Sequence, residues 1–246
     1  MFDTYAEIFE QRAKEYHHAM KASPRARDGE FHAVLEPIRD GAPGLVCDMP
    51  SGGGYLAGYL WPGVGYLGVD PATDFFVEWP QQLRRMVAEI TSVPLPDHSA
   101  DYIVSLAGLH HEPSLPQVFQ EMRRLLRVGG KAVLADVAID TPPARFLNGF
   151  VAANCPLGHD GRFLDEHTSA ALEAAGLTVV DDRMIAVPWT FDNIDEAGEF
   201  CRHLFGMTAL DAAATAEAMQ REIGFDFTDG KPRLRWTLRR IVAESH

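Results

Sequence analysis

A doubly wound, mostly parallel α/β sheet is the fold class this sequence predicts, on three observations. Short apolar runs recur at 44–48, 66–70, 86–89, 102–107 and 131–137, each too short for a helix. Several are separated by stretches of helical periodicity, the alternation expected of buried parallel strands. The first three runs end at Asp48, Asp70 and Glu89, and the first leads directly into a glycine-rich turn.

Each element has its own signal. Thr4 and Glu7 read as a capping box, and Tyr5, Ile8, Phe9, Ala13, Tyr16 and Met20 follow at helical spacing to a stop near Ser23-Pro24. A second, short helix is expected over 30–38. Ser114 and Gln117 open a helix with Val118, Met122 and Leu125 on one face; Arg123, Arg124 and Arg127 are expected in its last turns, and Gly129-Gly130 closes it. A further helix is predicted over 163–175, closed by Gly176 and followed by a strand at 177–180. The alternation breaks after Pro188. Ile194, Ala197, Phe200, Cys201 and Leu204 align on one helix, and a second starts at 208–211 and stops at Gly224. Residues 235–243 alternate enough to be a closing strand.

Composition limits the function. At 246 residues and 46% hydrophobic, the chain can build one sizeable core. A formal net charge of −13 repels phosphate backbones, so a nucleic-acid partner is not expected. The acidic, amphipathic start is unlike a signal peptide, and no run of about 18 apolar residues exists to span a membrane. Cys47, Cys155 and Cys201 are odd in number and widely spaced, which argues against a disulfide framework and for a reducing, cytoplasmic location.

The turn Asp48-Met-Pro-Ser-Gly-Gly-Gly54 falls where open α/β sheets bind ligands, at the carboxyl edge. Glycines there let backbone approach a ligand closely, although such turns also serve simply to reverse a chain. Asp70 ends the second strand, where a carboxylate can accept both hydroxyls of a ribose. Glu89 is next in line for an adenine amino group. A dinucleotide would require a GxGxxG turn, which is missing. The acid at the mouth, Asp48, disfavours phosphate and favours a ligand carrying ammonium and sulfonium charge. Those properties point to S-adenosylmethionine.

Taken in order, the 48–54 loop, Asp70, Glu89, the 93–101 segment, Leu109-His-His111 and the 121–130 segment resemble the class I S-adenosylmethionine-dependent methyltransferases, of the broad small-molecule, type 11-like group. The resemblance runs over roughly residues 44–187. It implies a seven-stranded sheet of order 3-2-1-4-5-7-6 whose last strand, here 235–243, is antiparallel. It also implies a Rossmann-like core (41–188 and 233–246), an N-terminal helical cap (1–40) and a helical lid insertion (189–232). By the same resemblance, Asp48, Ser51, Gly52, Gly53 and Gly54 shape the methionine end of the cofactor. Asp70 holds the ribose, Glu89 and Ile90 the adenine, Leu106 lines the site, and Tyr16 reaches the methionine carboxylate, with Arg27 a further candidate. Pro50 departs from the family's loop, which usually has glycine there; proline fixes φ and lacks an N–H.

His110 and His111 follow the fourth strand and are the candidate catalytic bases. An imidazole can take a proton from an alcohol or phenol near neutral pH, while one of such a pair is often a structural hydrogen bonder. Glu112 could orient one of them. His159 lies in a segment expected to face the acceptor, and His17 and His18 are expected on a solvated face. No HxxxH or His/carboxylate spacing supports a metal site, so none is expected. The aromatic residues Trp189, Phe191, Phe200, Phe205, Met207, Phe225 and Phe227 in the insertion suit a lid over a small, partly apolar or aromatic acceptor. The expected reaction is methyl transfer to that acceptor, with O-methylation slightly favoured over N- or C-methylation. An NAD-dependent oxidoreductase would use the same sheet but lacks its turn, and a non-catalytic S-adenosylmethionine-binding protein is favoured only by Pro50.

Overall fold

The computed structural model describes residues 5–41 and 43–246. Thr4 of the expected capping box lies outside them. The chain opens with α1 (Tyr5–Ala22) and α2 (Asp28–Leu35), the latter running into a 3-10 turn over Glu36–Ile38. The central sheet follows as β1 (Leu45–Asp48), β2 (Gly65–Asp70), β3 (Arg84–Val87) and β4 (Ala100–Leu106). Next come α3 (Leu115–Leu125) and β5 (Leu126–Asp136). A bent segment, α4 (Pro142–Arg145), a π turn (Phe146–Val151) and α5 (Ala152–Asn154), leads to α6 (Thr168–Ala174) and β6 (Leu177–Ala186). The insertion comprises β7 (Trp189–Thr190), α7 (Ile194–Leu204), α8 (Ala212–Glu222), β8 (Phe225–Thr228) and β9 (Lys231–Leu234), and β10 (Thr237–Ser245) closes the chain.

The seven-stranded sheet has the order β3-β2-β1-β4-β5-β10-β6. Strands β3, β2, β1, β4 and β5 are mutually parallel. β10 inserts antiparallel between β5 and β6, with Ile241 opposite both Leu134 and Asp182. This is the predicted architecture, with the last strand in the predicted place. Val46, Cys47, Val69, Ile103, Val104, Val133 and Leu134 are fully buried between the layers, as parallel strands covered on both faces require.

Three differences from the sequence expectation have local causes. The links β1–β2 and β2–β3 contain 3-10 turns (Tyr55–Tyr59, Thr73–Phe76) rather than α-helices, because the first holds glycine and is followed by Pro62. α3 ends at Leu125 and β5 starts at once, so Arg127 lies on the strand; Gly129, at φ 77°, bends the strand rather than ending the helix. The insertion is not purely helical: β7, β9 and β8 form a small antiparallel sheet. Its hairpin turns at Asp229-Gly230, both at positive φ, a pairing that matches the twist of two-residue hairpins.

Candidate active site

The turn after β1 lies where it was expected. Gly52 and Gly54 adopt positive φ (50° and 74°), which only glycine takes up easily. Gly52 N–H donates to Asp70 Oδ2 at 2.7 Å, and Ala72 N–H donates to Oδ1 at 2.9 Å, so the end of β2 is tied to the loop. The Met49-Pro50 peptide is cis. Pro50 packs onto Gly108 beyond β4, where a Cβ would stand 2.4 Å from Pro50 Cγ. The proline that departs from the glycine-loop pattern is therefore accommodated by a glycine on the neighbouring strand end.

A cavity of about 50 Å³ lies over this loop, lined by Asp48, Ser51, Gly52, Tyr16, Arg27 and Leu106 among others. Asp48 is buried and accepts a 2.7 Å bond from Tyr66 Oη. Burial pushes its carboxyl up to about 8, and the Tyr66 bond only partly offsets this. Burial likewise pushes Asp70 up to about 7 against three hydrogen bonds that favour its charged form. One of these comes from Tyr5 Oη at 3.0 Å. Tyr5 and Phe9, from the first turns of α1, and Phe75 fill much of the space above the loop.

Tyr16 on α1 and Arg27 just before α2 meet in this wall: Arg27 Nη1 donates to Tyr16 Oη at 2.7 Å and Nε to Glu30 Oε2 at 2.6 Å. Burial works against the Arg27 charge, but Glu30 and Tyr16 outweigh it and hold the guanidinium protonated. Glu30 also accepts from Trp189 Nε1, which joins α2 to the insertion. His17, expected on a solvated face, is instead buried: its ring bonds Tyr55 Oη at 2.7 Å and lies 3.2 Å from Phe75 O, while His18 is exposed.

A second cavity of about 60 Å³ adjoins the first and shares Phe9, Tyr16, Arg27 and Ala107 with it. Its remaining walls include Arg12, His110, His111, His159, Trp189, Phe205 and Trp236. Ala107, at the junction, has a φ of 51°, a conformation uncommon for a residue with a Cβ. His110 Nδ1 lies 2.7 Å from Asp136 Oδ1 at the end of β5, and Asp136 Oδ2 accepts His110 N–H. The imidazole-orienting acid is therefore Asp136, not Glu112. His159 reaches the same corner from the segment after α5. Burial lowers the His111 and His159 pKa values well below the ordinary imidazole range, and nearby His110 adds to this.

Not every candidate converges. Glu89 lies exposed in the turn after β3 and does not line the cavity, and Ile90 is fully buried in the core. Tyr5, Phe9, Glu30 and Asp136 line or brace the two cavities without having been singled out for them, whereas Trp189 lines the second as one of the aromatic residues expected over the acceptor. Asp136 carried a usable signal, since it ends an apolar strand run as Asp48 and Asp70 do. The others come from the N-terminal helices, where a residue looks the same whether it packs or lines a site.

The chamber suits an adenosyl-sulfonium ligand in kind. It offers a carboxylate at the β2 tip, a paired Tyr16–Arg27 for a ligand carboxylate, and Ser51 Oγ, buried without a partner among the described residues. The present space is smaller than the roughly 300 Å³ at which ligand pockets begin, so the Tyr5 and Phe9 side chains must withdraw for such a ligand to enter.

Residues 47–134 match the family model described as "Methyltransferase domain". Methyltransferase GfsG of Streptomyces halstedii is 30% identical over 97 residues, 39% of this chain; the match spans about a third (34%) of that relative's length. Among solved structures, a putative methyltransferase from Bacillus halodurans has a TM-score of 0.63 at 17% identity, covering 87% of this chain and 98% of that one. Haemonchus contortus phosphoethanolamine N-methyltransferase 2, solved in complex with S-adenosyl-L-methionine, has a TM-score of 0.66 at 13% identity, covering 98% of this chain and 60% of that one. The family match runs from β1 into β5 of a sheet in this order, and the solved structures share that fold.

Proposed function

We propose that this protein transfers a methyl group from S-adenosylmethionine to a small, partly apolar acceptor, with an oxygen acceptor favoured over nitrogen or carbon. The observation that carries the reading is the junction of the two cavities. One is lined by Asp48 and the glycine turn, the other by histidines and aromatic rings, and they share four wall residues. S-adenosylmethionine supplies an electrophilic methyl group on a sulfonium centre.

The chain's residues then have distinct tasks. Asp70 accepts the ribose hydroxyls once Tyr5 leaves it, and the ionised Asp48 faces the ligand's ammonium group. Tyr16 and Arg27 take the ligand carboxylate, and the Ser51–Gly54 turn encloses the methionine end. Leu106 bounds the adenosyl side, with Glu89 as the adenine acceptor if its turn folds inward and Ile90 packed beneath it. His110, held by Asp136, ionises the acceptor at Nε2, which is what a hydroxyl acceptor needs at neutral pH. Trp189, Phe205 and Trp236 exclude water from the acceptor space, and alignment under that lid contributes much of the rate.

Incubating the full chain with S-adenosylmethionine and a panel of phenols, alcohols and amines tests the reading. S-adenosylhomocysteine should form with at least one hydroxyl acceptor. Turnover only with amines would overturn the preference for oxygen, and no turnover despite cofactor binding would favour a non-catalytic binder.

A further inference from the structure

We propose that His110, His111 and His159 form a binding site for one divalent transition-metal ion at the wall of the acceptor cavity. One ring nitrogen from each lies within 4.8 Å of the others. Nitrogens sharing an ion at about 2.1 Å stand about 3.4 Å apart, so small side-chain rotations close the set. His159 belongs to a connecting segment rather than a strand.

The hydrogen bonds around the cluster prepare two of the rings for ligation. Asp136 is a carboxylate acceptor, so His110 carries its proton on Nδ1 and presents the Nε2 lone pair. Asn148 is oriented by Gly161, donating from Nδ2 to Gly161 O at 2.9 Å and accepting from Gly161 N at 2.8 Å. Its Oδ1 therefore accepts from His159 Nδ1 at 2.8 Å, which leaves Nε2 of His159 as a second lone pair. Ligating histidines characteristically give their other N–H to such a carboxylate or carbonyl oxygen. Asn148 itself lies in the π turn Phe146–Val151, a backbone form concentrated at functional sites.

Three imidazole ligands select zinc and its borderline neighbours over magnesium or calcium, which take oxygen ligands. Three protein ligands with a free position are the pattern of catalytic rather than structural zinc. The cluster also borders a cavity of about 570 Å³, lined by Ile8, Pro113, Leu157 and Arg162 among others, which provides an entry path. On the acceptor side, Arg12 lines the wall, and its Nε is buried without a partner among the described residues. An acceptor oxygen able to become anionic, as in a phenol, enol or carboxylic acid, satisfies both the ion and this guanidinium. The inference rests on the proposed reading of this cavity as the acceptor site, and it makes His110 ionise the acceptor through the ion it holds.

Spacing along the sequence does not reveal this set, because the fold brings His159 in from a separate segment.

Cobalt(II) chloride titrated into chelator-stripped full-length protein, without cofactor or acceptor, tests the site through visible d–d absorption. One ion per chain should bind, be displaced by zinc chloride and be unaffected by magnesium chloride. His159→Gln should abolish the absorption, and Asn148→Ala should weaken cobalt binding about 10- to 100-fold. His18→Gln, at the separate His18–His203 pair, should change nothing. Circular dichroism melts confirm that each variant folds. No absorption, or absorption insensitive to His159→Gln but lost in His18→Gln, would overturn the site. Calorimetry with S-adenosylmethionine on the same stripped protein separates the two readings: cofactor binding without cobalt binding removes only the metal site, and the reverse removes only the cofactor assignment.

Discussion

The two cavities that meet at Ala107 hold opposite kinds of titratable group, and burial shifts members of both toward their neutral forms. Beneath the glycine turn it raises the carboxyls of Asp48 and Asp70 to about 8 and about 7. Beside the lid it lowers the imidazoles of His111 and His159. Desolvation disfavours the charged form of either group, so each chamber is built for a partner that changes this balance. A cationic ligand recovers charge on the acids, whereas neutral imidazoles keep the lone pairs that proton transfer or metal ligation needs. The lesson is that one physical effect, exclusion of water, prepares two adjoining sites for different chemistry.

Substitutions on either side of the junction should separate these roles. The largest effect is expected at the histidine side: His110→Ala should lower turnover about 10³-fold while leaving S-adenosylmethionine affinity unchanged by calorimetry. A fall in affinity of similar size would merge the two chambers into one function. On the acid side, Asp70→Ala should weaken S-adenosylmethionine binding about 100-fold, on the order of 3 kcal/mol for lost hydrogen bonds to a charged group. Tyr5→Phe sharpens the contrast with the opposite sign. It removes the hydroxyl that occupies Asp70 and should tighten binding about fivefold, on the order of 1 kcal/mol; weaker binding would mean that Tyr5 holds the ligand rather than competing with it.

The smallest effect concerns protons. Asp48 and Asp70 have pKa values raised above the ordinary carboxyl range, so near pH 7 the free protein holds protons there that a cationic ligand expels. Affinity should therefore rise with pH up to about 8 and then level off. Calorimetry at pH 7 in buffers of different ionisation enthalpy should register proton release, and equal heats in all buffers would contradict it.

The acid side was far more legible in the sequence than the histidine side. Asp48, Gly52, Gly54 and Asp70 sit at strand ends, where chain order and spatial order nearly coincide, so their grouping follows from the strand pattern. The position of β10 was readable for a related reason: an alternating run after an insertion has few places to pair. The histidine corner joins the turn after β4, the end of β5 and the segment after α5, whose meeting depends on packing that no local period records. Asp136 was visible only as another strand-terminal acid. The burial of His17 and the Tyr5–Asp70 bond depend on how α1 lies across the sheet edge, and helical periodicity does not specify that angle. Glu89 shows the converse limit, because correct placement near a strand end did not bring its side chain into the cavity.

The most direct test is a crystal structure of the full chain soaked with S-adenosylhomocysteine. The account predicts ribose hydroxyls on Asp70, the Tyr5 hydroxyl displaced from it, and the sulfur turned toward the cavity that His110 lines. A ligand bound elsewhere, with the Tyr5–Asp70 hydrogen bond intact, would contradict it.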